Sequence, residues 1–237
     1  MLDGQSPSAI AGRLKYQEKD LPDVSKDTIY RYLRSPYGKI IGLKLNKKKR
    51  PQGRKKVTKL KDRVFIDKRP KIIEERSRVG DVEADFVVSG RSGKGVLLGV
   101  VCRKLRVVFL EIIHQVTVDE VHKAFERIKQ RFPEMKTLTI DNDILFQMHK
   151  TLEELLAVKI YFCHPYHSWE KGSIENVNKY IRKFILKGSD LSQYDEEHIS
   201  VIQGKCNERF MQCLRYATPE ERLKEYRARK KNKKTAV

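Results

Sequence analysis

Three short β-branched runs stand almost end to end in this chain: VEADFVVS (82–89), GVLLGVVCR (95–103) and RVVFLEIIH (106–114). SGRSGK separates the first two, and a tight break at Lys104-Leu105 separates the second from the third. Runs of this length between turn residues predict strands, and connections this short predict antiparallel neighbours. The glycines at 90, 93 and 95 resemble a phosphate-binding loop only superficially. Such loops lead into a helix, whereas this one leads into a strand, so a hairpin turn is expected.

The rhythm then changes to alternating helix and strand. TVDEVHKAFERIKQRF (117–132) carries Val118, Val121, Phe125 and Ile128 at helical spacing and ends before Pro133. MKTLTID (135–141) predicts a fourth strand, HKTLEELLA (149–157) a helix and VKIYFCH (158–164) a fifth strand, with further helices near 174–186 and 195–210. Three antiparallel strands followed by this alternation define a mixed α/β class. It is the order of the ribonuclease H-like fold, whose first and fourth strands present carboxylates to a helix after the fifth.

Charge narrows the partner. Fifty-one Lys and Arg against 31 Asp and Glu leave +20, which points to a polyanion, nucleic acid first. Residues 1–79 alone hold 23 basic and nine acidic residues. The longest apolar run, GVLLGVVC (95–102), is too short to span a bilayer, and MLDGQSPS lacks the apolar core of a signal peptide. No membrane association and a cytoplasmic, nucleoid-associated location are expected. Four scattered cysteines without a CxxC pair fit a reducing compartment. In CHPYH, Cys163, His164 and His167 cluster, but no fourth zinc ligand is evident, so the run is taken as structural.

Near the start, SPSAIAGRL predicts a helix capped by Ser6 with Pro7 at its first position and Ile10 and Leu14 on one face. SKDTIYRYLRS predicts a second, capped by Ser25, with Ile29, Tyr32 and Leu33 inward and Lys26, Thr28, Arg31 and Arg34 outward. The pair suggests a DNA-binding helix-turn-helix. The connection YQEKDLPDV is longer than that motif's turn, which leaves a generic helical hairpin as the alternative. Beyond it lies a basic linker whose densest part, KKKRPQGRKK, contains Lys47, Lys48, Lys49, Arg50, Arg54, Lys55 and Lys56, suited to tracking phosphates. The tail after Glu221 carries eight Lys or Arg and reads either as another phosphate-binding arm or as a frayed end.

Three acids are placed to meet. Asp85 lies inside an apolar run, where a charge requires a partner or a sheet edge. Asp141 ends a predicted strand, and Glu175 lies in the first turn of a predicted helix. On that helix Ile174, Val177, Ile181, Phe184 and Ile185 form the packing stripe, while Glu175, Asn178, Lys179 and Arg182 share another face, free to meet metal and phosphate. Trp169 is expected to pack beneath the helix approach. Hard oxygen ligands of this kind suit Mg²⁺. Asp81, Glu83, Asp143 and Glu170 are close enough in sequence to compete for the same role.

The motifs themselves resemble a known family. VGDVEADFV is similar to the Val-Gly-His-Trp-Glu-Gly-Asp segment of DDE transposases of the insertion sequence thirty family, and TLTIDND to their Thr-Asp-Asn-Gly-x-Glu-Phe. YFCHPYHSWEKGSIENVNKYIRKFILKGSDLS resembles the family's Tyr-Phe-x-x-Pro-Tyr-x-Ser-Trp-x-Arg-Gly-x-x-Glu-Asn-x-Asn block. SPSAIAGRLK, VSKDTIYRYL and IDKRP also look like this family, so the likeness covers nearly the whole chain. It implies Asp85, Asp141 and Glu175 as catalytic and metal-binding residues, with 33 residues between the last two as is typical of the family. Asn142, Asn176 and Asn178 match motif asparagines, and Lys171 replaces the motif arginine. Lys171, Asn178, Lys179 and Arg182 are accordingly expected at the DNA.

The resemblance further implies two Mg²⁺ or Mn²⁺ ions, cleavage at the ends of a mobile element, and attack of the freed 3′-hydroxyl on target DNA by a homo-oligomer that pairs two ends. The expected organisation is a helix-turn-helix module over 1–36, a basic linker over 37–79, a ribonuclease H-like integrase core over 80–217 and a basic tail over 218–237. The chain departs from the motifs at Asp143 and Leu145, where the family has Gly and Glu, and at Asp81-Val82 in place of His-Trp. It also begins close to the helix pair, without the further N-terminal region of such enzymes. These departures leave a DNA-binding remnant as one alternative, and a ribonuclease H-like nuclease is the other.

Overall fold

The computed structural model describes residues 5–40, 62–90, 93–165 and 167–235. The chain divides into two compact units, residues 57–207 and residues 1–56 together with 208–237.

The second of these units starts with helices set by their caps. Outside α1 (Pro7–Tyr16), the Ser6 hydroxyl accepts the Ala9 N–H at 3.2 Å, and Pro7 occupies a position whose N–H needs no partner. Ser25 likewise accepts the Thr28 N–H at 3.1 Å at the start of α2 (Lys26–Arg34), and α3 (Pro36–Ile40) follows at once. Ile10, Leu14, Ile29 and Leu33 are half-buried. Tyr32, expected inward, is 54% exposed. Ile29 and Leu33, four apart, share the packing face; Tyr32 sits at its edge and is left uncovered.

Of the basic stretch before the first strand, residues 62–79 are described in the larger unit, and apolar side chains pack them onto it. Phe65 forms a parallel bridge to Phe162, Ile73 and Val79 are buried, and the short α4 (Lys71–Glu74) lies between them. Spaced apolar residues anchor the segment while its charges reach outward. Arg69 is the exception; it is buried, and its guanidinium donates to Thr139 Oγ1 at 3.1 Å. The densest basic run, 47–56, lies outside the described residues.

The sheet comprises β1 (Asp81–Val88), β2 (Val96–Cys102), β3 (Val108–Ile113), β4 (Thr137–Ile140) and β5 (Lys159–Phe162), ordered β3-β2-β1-β4-β5. The first three strands pair antiparallel, and β4 and β5 run parallel to β1, the topology of the ribonuclease H-like fold. Between and after the strands come α5 (Val118–Arg131), α6 (His149–Leu156), α7 (Gly172–Ile181) and α8 (Glu196–Asn207).

Strand alternation assigns the two faces. Val87, Leu97, Val101, Leu110 and Ile112 pack with Ile174, Val177 and Ile181 of α7 and Ile199 and Ile202 of α8. The opposite face stacks Phe86 on Phe146 at 5.1 Å and Phe109 against Phe132 at 5.2 Å, with Phe125 and Ile128 of α5 fully buried. Each such side chain contributes about 1.5–3 kcal/mol on burial. Against this apolar background, Asp81, Glu83 and Asp85 all project from β1 toward the α7 side, in register with Val87.

The C-terminal segment is helical through Thr235. Thr218 and Glu221 form a reciprocal capping box, Glu221 N–H to Thr218 Oγ1 at 3.1 Å and Thr218 N–H to Glu221 Oε2 at 2.8 Å, and α9 (Pro219–Thr235) runs on from it. Arg13 donates to both oxygens of Glu221 at 2.8 Å, and the rings of Tyr16 and Tyr216 stack 5.7 Å apart. Residues 208–217, expected in the catalytic core, therefore group with the N-terminal helices, because their partners are Gln5, Gly12, Arg13 and Tyr16. Among the described residues no helix is long and apolar enough to cross a membrane.

Candidate active site

Parallel pairing brings two of the predicted acids together. Glu83 pairs with Thr139, so continuing the register by two residues sets Asp85 beside Asp141. Parallel neighbours lie about 4.8 Å apart, and residues two apart share a face. The two carboxylates accordingly meet a single cation: Lys171 Nζ lies 3.1 Å from Asp85 Oδ1 and 3.3 Å from Asp141 Oδ2.

The helix contributes the rest of the site. Lys171, Glu175 and Asn178 are spaced by four and three residues, which places them along one stripe at the start of α7. Asn178 Nδ2 donates to Asp85 Oδ2 at 2.9 Å, so both ends of the stripe touch the acids and half-buried Glu175 lies between them. The helix comes this close because Asp85 pairs with Gly99 on β2; a Cβ there would sit 3.3 Å from Ile174 Cδ1. The Glu175 carboxylate forms no hydrogen bond or ion pair among the described residues. Its oxygens do not join those of Asp85 and Asp141 in one three-ligand group, since the group with ligand atoms within 4.8 Å among the described residues lies elsewhere.

What registers α7 against the sheet is Glu83, two residues before Asp85. Its carboxylate is fully buried, and Oε2 accepts the N–H groups of Ser173 and Ile174 at 2.9 and 3.0 Å. Oε1 accepts from Arg103 at 2.8 Å, an ion pair with 4% and 0% of its side chains exposed. A negative charge on free N–H groups at a helix start is favoured by the dipole as well as by the bonds.

The other competing acids are likewise occupied. Asp81 is held by Arg78 at 2.9 Å and by Thr137 Oγ1 at 2.7 Å. Glu170 binds His164 and His167. Asp143 accepts the Leu145 N–H at 3.0 Å and caps a 3-10 turn over Ile144–Phe146. Its φ of −70° is open to any residue, so glycine is not required at this turn.

Electrostatics follow from enclosure. Burial pushes the Asp85 carboxyl above the ordinary carboxylate range; Lys171 opposes the shift and Asp141 adds to it. Burial would strip the Lys171 proton, but Asp85 and Asp141 hold its pKa above the usual lysine value. Asp85 and Asp141 are adjacent oxygen donors of the kind a divalent cation takes, Glu175 stands on the facing helix without closing a three-ligand group with them, and the Lys171 ammonium supplies the positive charge between the two acids. Asn178 Oδ1 is also buried there without a hydrogen-bond partner.

Several sequence expectations change at this point. Lys171, expected at DNA, is buried between two acids, and Arg182 is half-buried and donates to Val88 O and Leu186 O at 3.1 and 3.3 Å. Lys179, Lys26, Thr28, Arg31 and Arg34 are exposed. Asn142 donates to Cys163 O at 2.8 Å and accepts from Arg63, which ties the ends of β4 and β5 together, while Asn176 is exposed. Trp169, expected to pack, is 69% exposed and stacks on His167. From sequence Glu83 was one of the acids competing for the catalytic role and Arg103 had no functional reading, although the i, i+2 spacing of Glu83 and Asp85 already put them on one strand face.

Comparison with known proteins identifies relatives of the chain. No protein-family model matches the chain. The transposase for insertion sequence element IS4351 of Bacteroides fragilis is 35% identical over 235 residues, covering 94% of this chain and 70% of that protein. The IS1086 transposase of Cupriavidus metallidurans is 31% identical, covering 90% and 67%. Transposase InsI of IS30A from Escherichia coli K12 is 27% identical over 91% of this chain and 60% of its own length. The catalytic core domain of BIV integrase aligns at 17% identity with a TM-score of 0.48, over 64% of this chain and 97% of that one. With relatives this similar spanning nearly its whole length, the chain belongs to the IS30 family of insertion-sequence transposases.

Proposed function

We propose that Asp85, Asp141 and Glu175 are the catalytic carboxylates of this transposase and that they bind Mg²⁺ or Mn²⁺, as two ions, to cut an insertion-sequence end and join its 3′-hydroxyl to target DNA. The assignment follows the motif resemblance, and the observation that supports it is that Asp85 and Asp141 converge on Lys171 beside the stripe of α7 that bears Glu175. Asp81, Glu83, Asp143 and Glu170 are each bound to other partners.

A divalent ion bound by these oxygens would supply a Lewis acid at the scissile phosphodiester and lower the pKa of the attacking water or hydroxyl. The chain's own groups prepare the site for it. Lys171 screens the repulsion between Asp85 and Asp141, Asn178 orients Asp85, and Glu83 holds the N-terminus of α7 at the sheet. For DNA, the exposed basic face of α2 (Lys26, Thr28, Arg31, Arg34), the 47–56 run and Lys179 are the residues we assign to the element ends, with pairing of two ends in a homo-oligomer. Each phosphate neutralised lowers log K by about 0.9 per decade of salt.

A labelled element end incubated with purified protein and Mg²⁺ or Mn²⁺ tests the assignment. Glu175→Gln is expected to lose strand cleavage by at least ~100-fold, about 2.7 kcal/mol of barrier, while still binding the end. Cleavage at the parent rate refutes it.

A further inference from the structure

A second cluster lies on the loop between β5 and α7, apart from the carboxylates above. His164 Nδ1 and His167 Nδ1 converge on one oxygen, Glu170 Oε1, at 3.0 and 3.1 Å. These three residues are the group of His, Cys, Asp and Glu, among the described residues, whose ligand atoms all fall within 4.8 Å of one another. Metal–ligand bonds of about 2.0–2.1 Å in a tetrahedron separate neighbouring ligands by roughly 3.3 Å, close to the spacings found.

The surroundings add a second argument. Glu170 Oε2 accepts the backbone N–H of His164 at 2.8 Å, which fixes the carboxylate, and His164 Nε2 lies 2.8 Å from Asp67 Oδ2. Both ring nitrogens of His164 thus face carboxylate oxygens. A metal ion at Nδ1 leaves the Nε2–H of His164 free to donate to Asp67 Oδ2. A carboxylate on the far nitrogen of a ligating histidine is also the arrangement that sets its tautomer in metal sites. Ring stacking holds both imidazoles, His164 on Phe65 at 5.1 Å and His167 on Trp169 at 4.5 Å. Cys163 is buried, and its sulfur is not among the converging ligand atoms.

We propose that His164, His167 and Glu170 bind one transition-metal ion of the zinc class, with Asp67 supporting His164 from behind. Imidazole nitrogens select such ions over Mg²⁺, and three protein ligands leave a fourth position for water. The ion would clamp the loop that leads directly into Lys171 and α7, so its role is to brace the approach to the carboxylate stripe. The proposal does not rest on the assignment of Asp85, Asp141 and Glu175.

The test uses the full chain, stripped of metal and then held in excess Mg²⁺ to saturate oxygen-only sites, titrated with Zn²⁺ by calorimetry. One equivalent is expected to bind. His167→Ala and Glu170→Gln should each weaken it at least tenfold, and Asp67→Asn about 10–100-fold, while Asp85→Asn and Glu175→Gln leave the Zn²⁺ affinity unchanged. Because a variant can misfold, the imidazole ¹H–¹⁵N resonances of the parent chain provide an independent readout, and those of His164 and His167 should shift on Zn²⁺ addition. Absence of saturable binding, binding indifferent to His167→Ala, or unmoved resonances would each overturn the proposal.

Discussion

Glu83→Ala is the substitution whose cost follows most directly from the geometry. It removes the acceptor of two backbone N–H groups at the start of α7 and the counter-charge of Arg103, where both side chains are buried. Leaving one member of a buried ion pair uncompensated costs about 3–5 kcal/mol, and an orphaned N–H about 1–3 kcal/mol. These penalties overlap, since Arg103 also reaches Glu74 Oε2 at 3.5 Å and keeps part of its pairing. A net loss of about 3–5 kcal/mol is therefore expected, against a total stability of about 5–15 kcal/mol for an ordinary domain. Urea unfolding followed by far-UV circular dichroism measures it. Adding Arg103→Met should return part of the loss by removing the stranded charge, but not the part due to Ser173 and Ile174 N–H. Glu83→Gln, which keeps one acceptor oxygen, should fall between parent and alanine variant. If Glu83→Ala shifts stability by less than about 1 kcal/mol, or if Arg103→Met makes matters worse, the role assigned to Glu83 is wrong.

Three other outcomes are expected. Lys171→Met leaves Asp85 and Asp141 facing each other; it should cost about 1–3 kcal/mol in chelator, discounted because Asp141 is 41% exposed, and excess Mg²⁺ should restore part of the loss in a melting experiment. In the N-terminal unit, the side-chain hydrogen bond from Arg13, more than any other cause, holds Glu221 below the ordinary glutamate range. A lowered carboxylate pKa stabilises at pH above the unfolded value and ceases to do so as pH falls through the folded one. Parent and Glu221→Gln should thus differ in urea midpoint at neutral pH and converge in acid; a gap that persists in acid refutes the pairing. Finally, Asp143→Gly alone should cost about 0.5–2 kcal/mol through the lost cap to Leu145 and gain no cleavage. If Asp143→Gly with Leu145→Glu creates cleavage that the parent lacks, the parent is a binding remnant of an enzyme.

Much of the architecture was legible along the chain because it depends on neighbours in sequence. Alternating β-branched runs located β1 to β3, and helical spacing in 117–132 located α5, with the capping Thr117 accepting the Glu120 N–H as such a start requires. Ser6 and Ser25 announced α1 and α2 for the same reason. Thr218 and Glu221 carried the same kind of signal, but the basic residues after them led to two readings of the tail, a phosphate-binding arm or a frayed end, and not to a capped helix. The position of Asp141 at a strand end and of Glu175 in a first helical turn were also local facts, and motif likeness singled them out from their acidic neighbours.

What the sequence alone determined, then, is the order of elements, the family and the three acids worth testing, since periodicity, caps and motifs are properties of short windows. Tertiary structure decided which charges are spent on holding the fold. Only the β1–β4 register brings Asp85 to Asp141, and only the close approach of α7 over Gly99 turns Lys171 from a surface cation into a buried bridge and Glu83 into a helix anchor. Phe65 and Ile73 became a wall rather than a linker for the same reason. Burial makes a charge costly unless its partner is supplied, and the partners here lie from 20 to 93 residues away, beyond the reach of any pattern read along the chain.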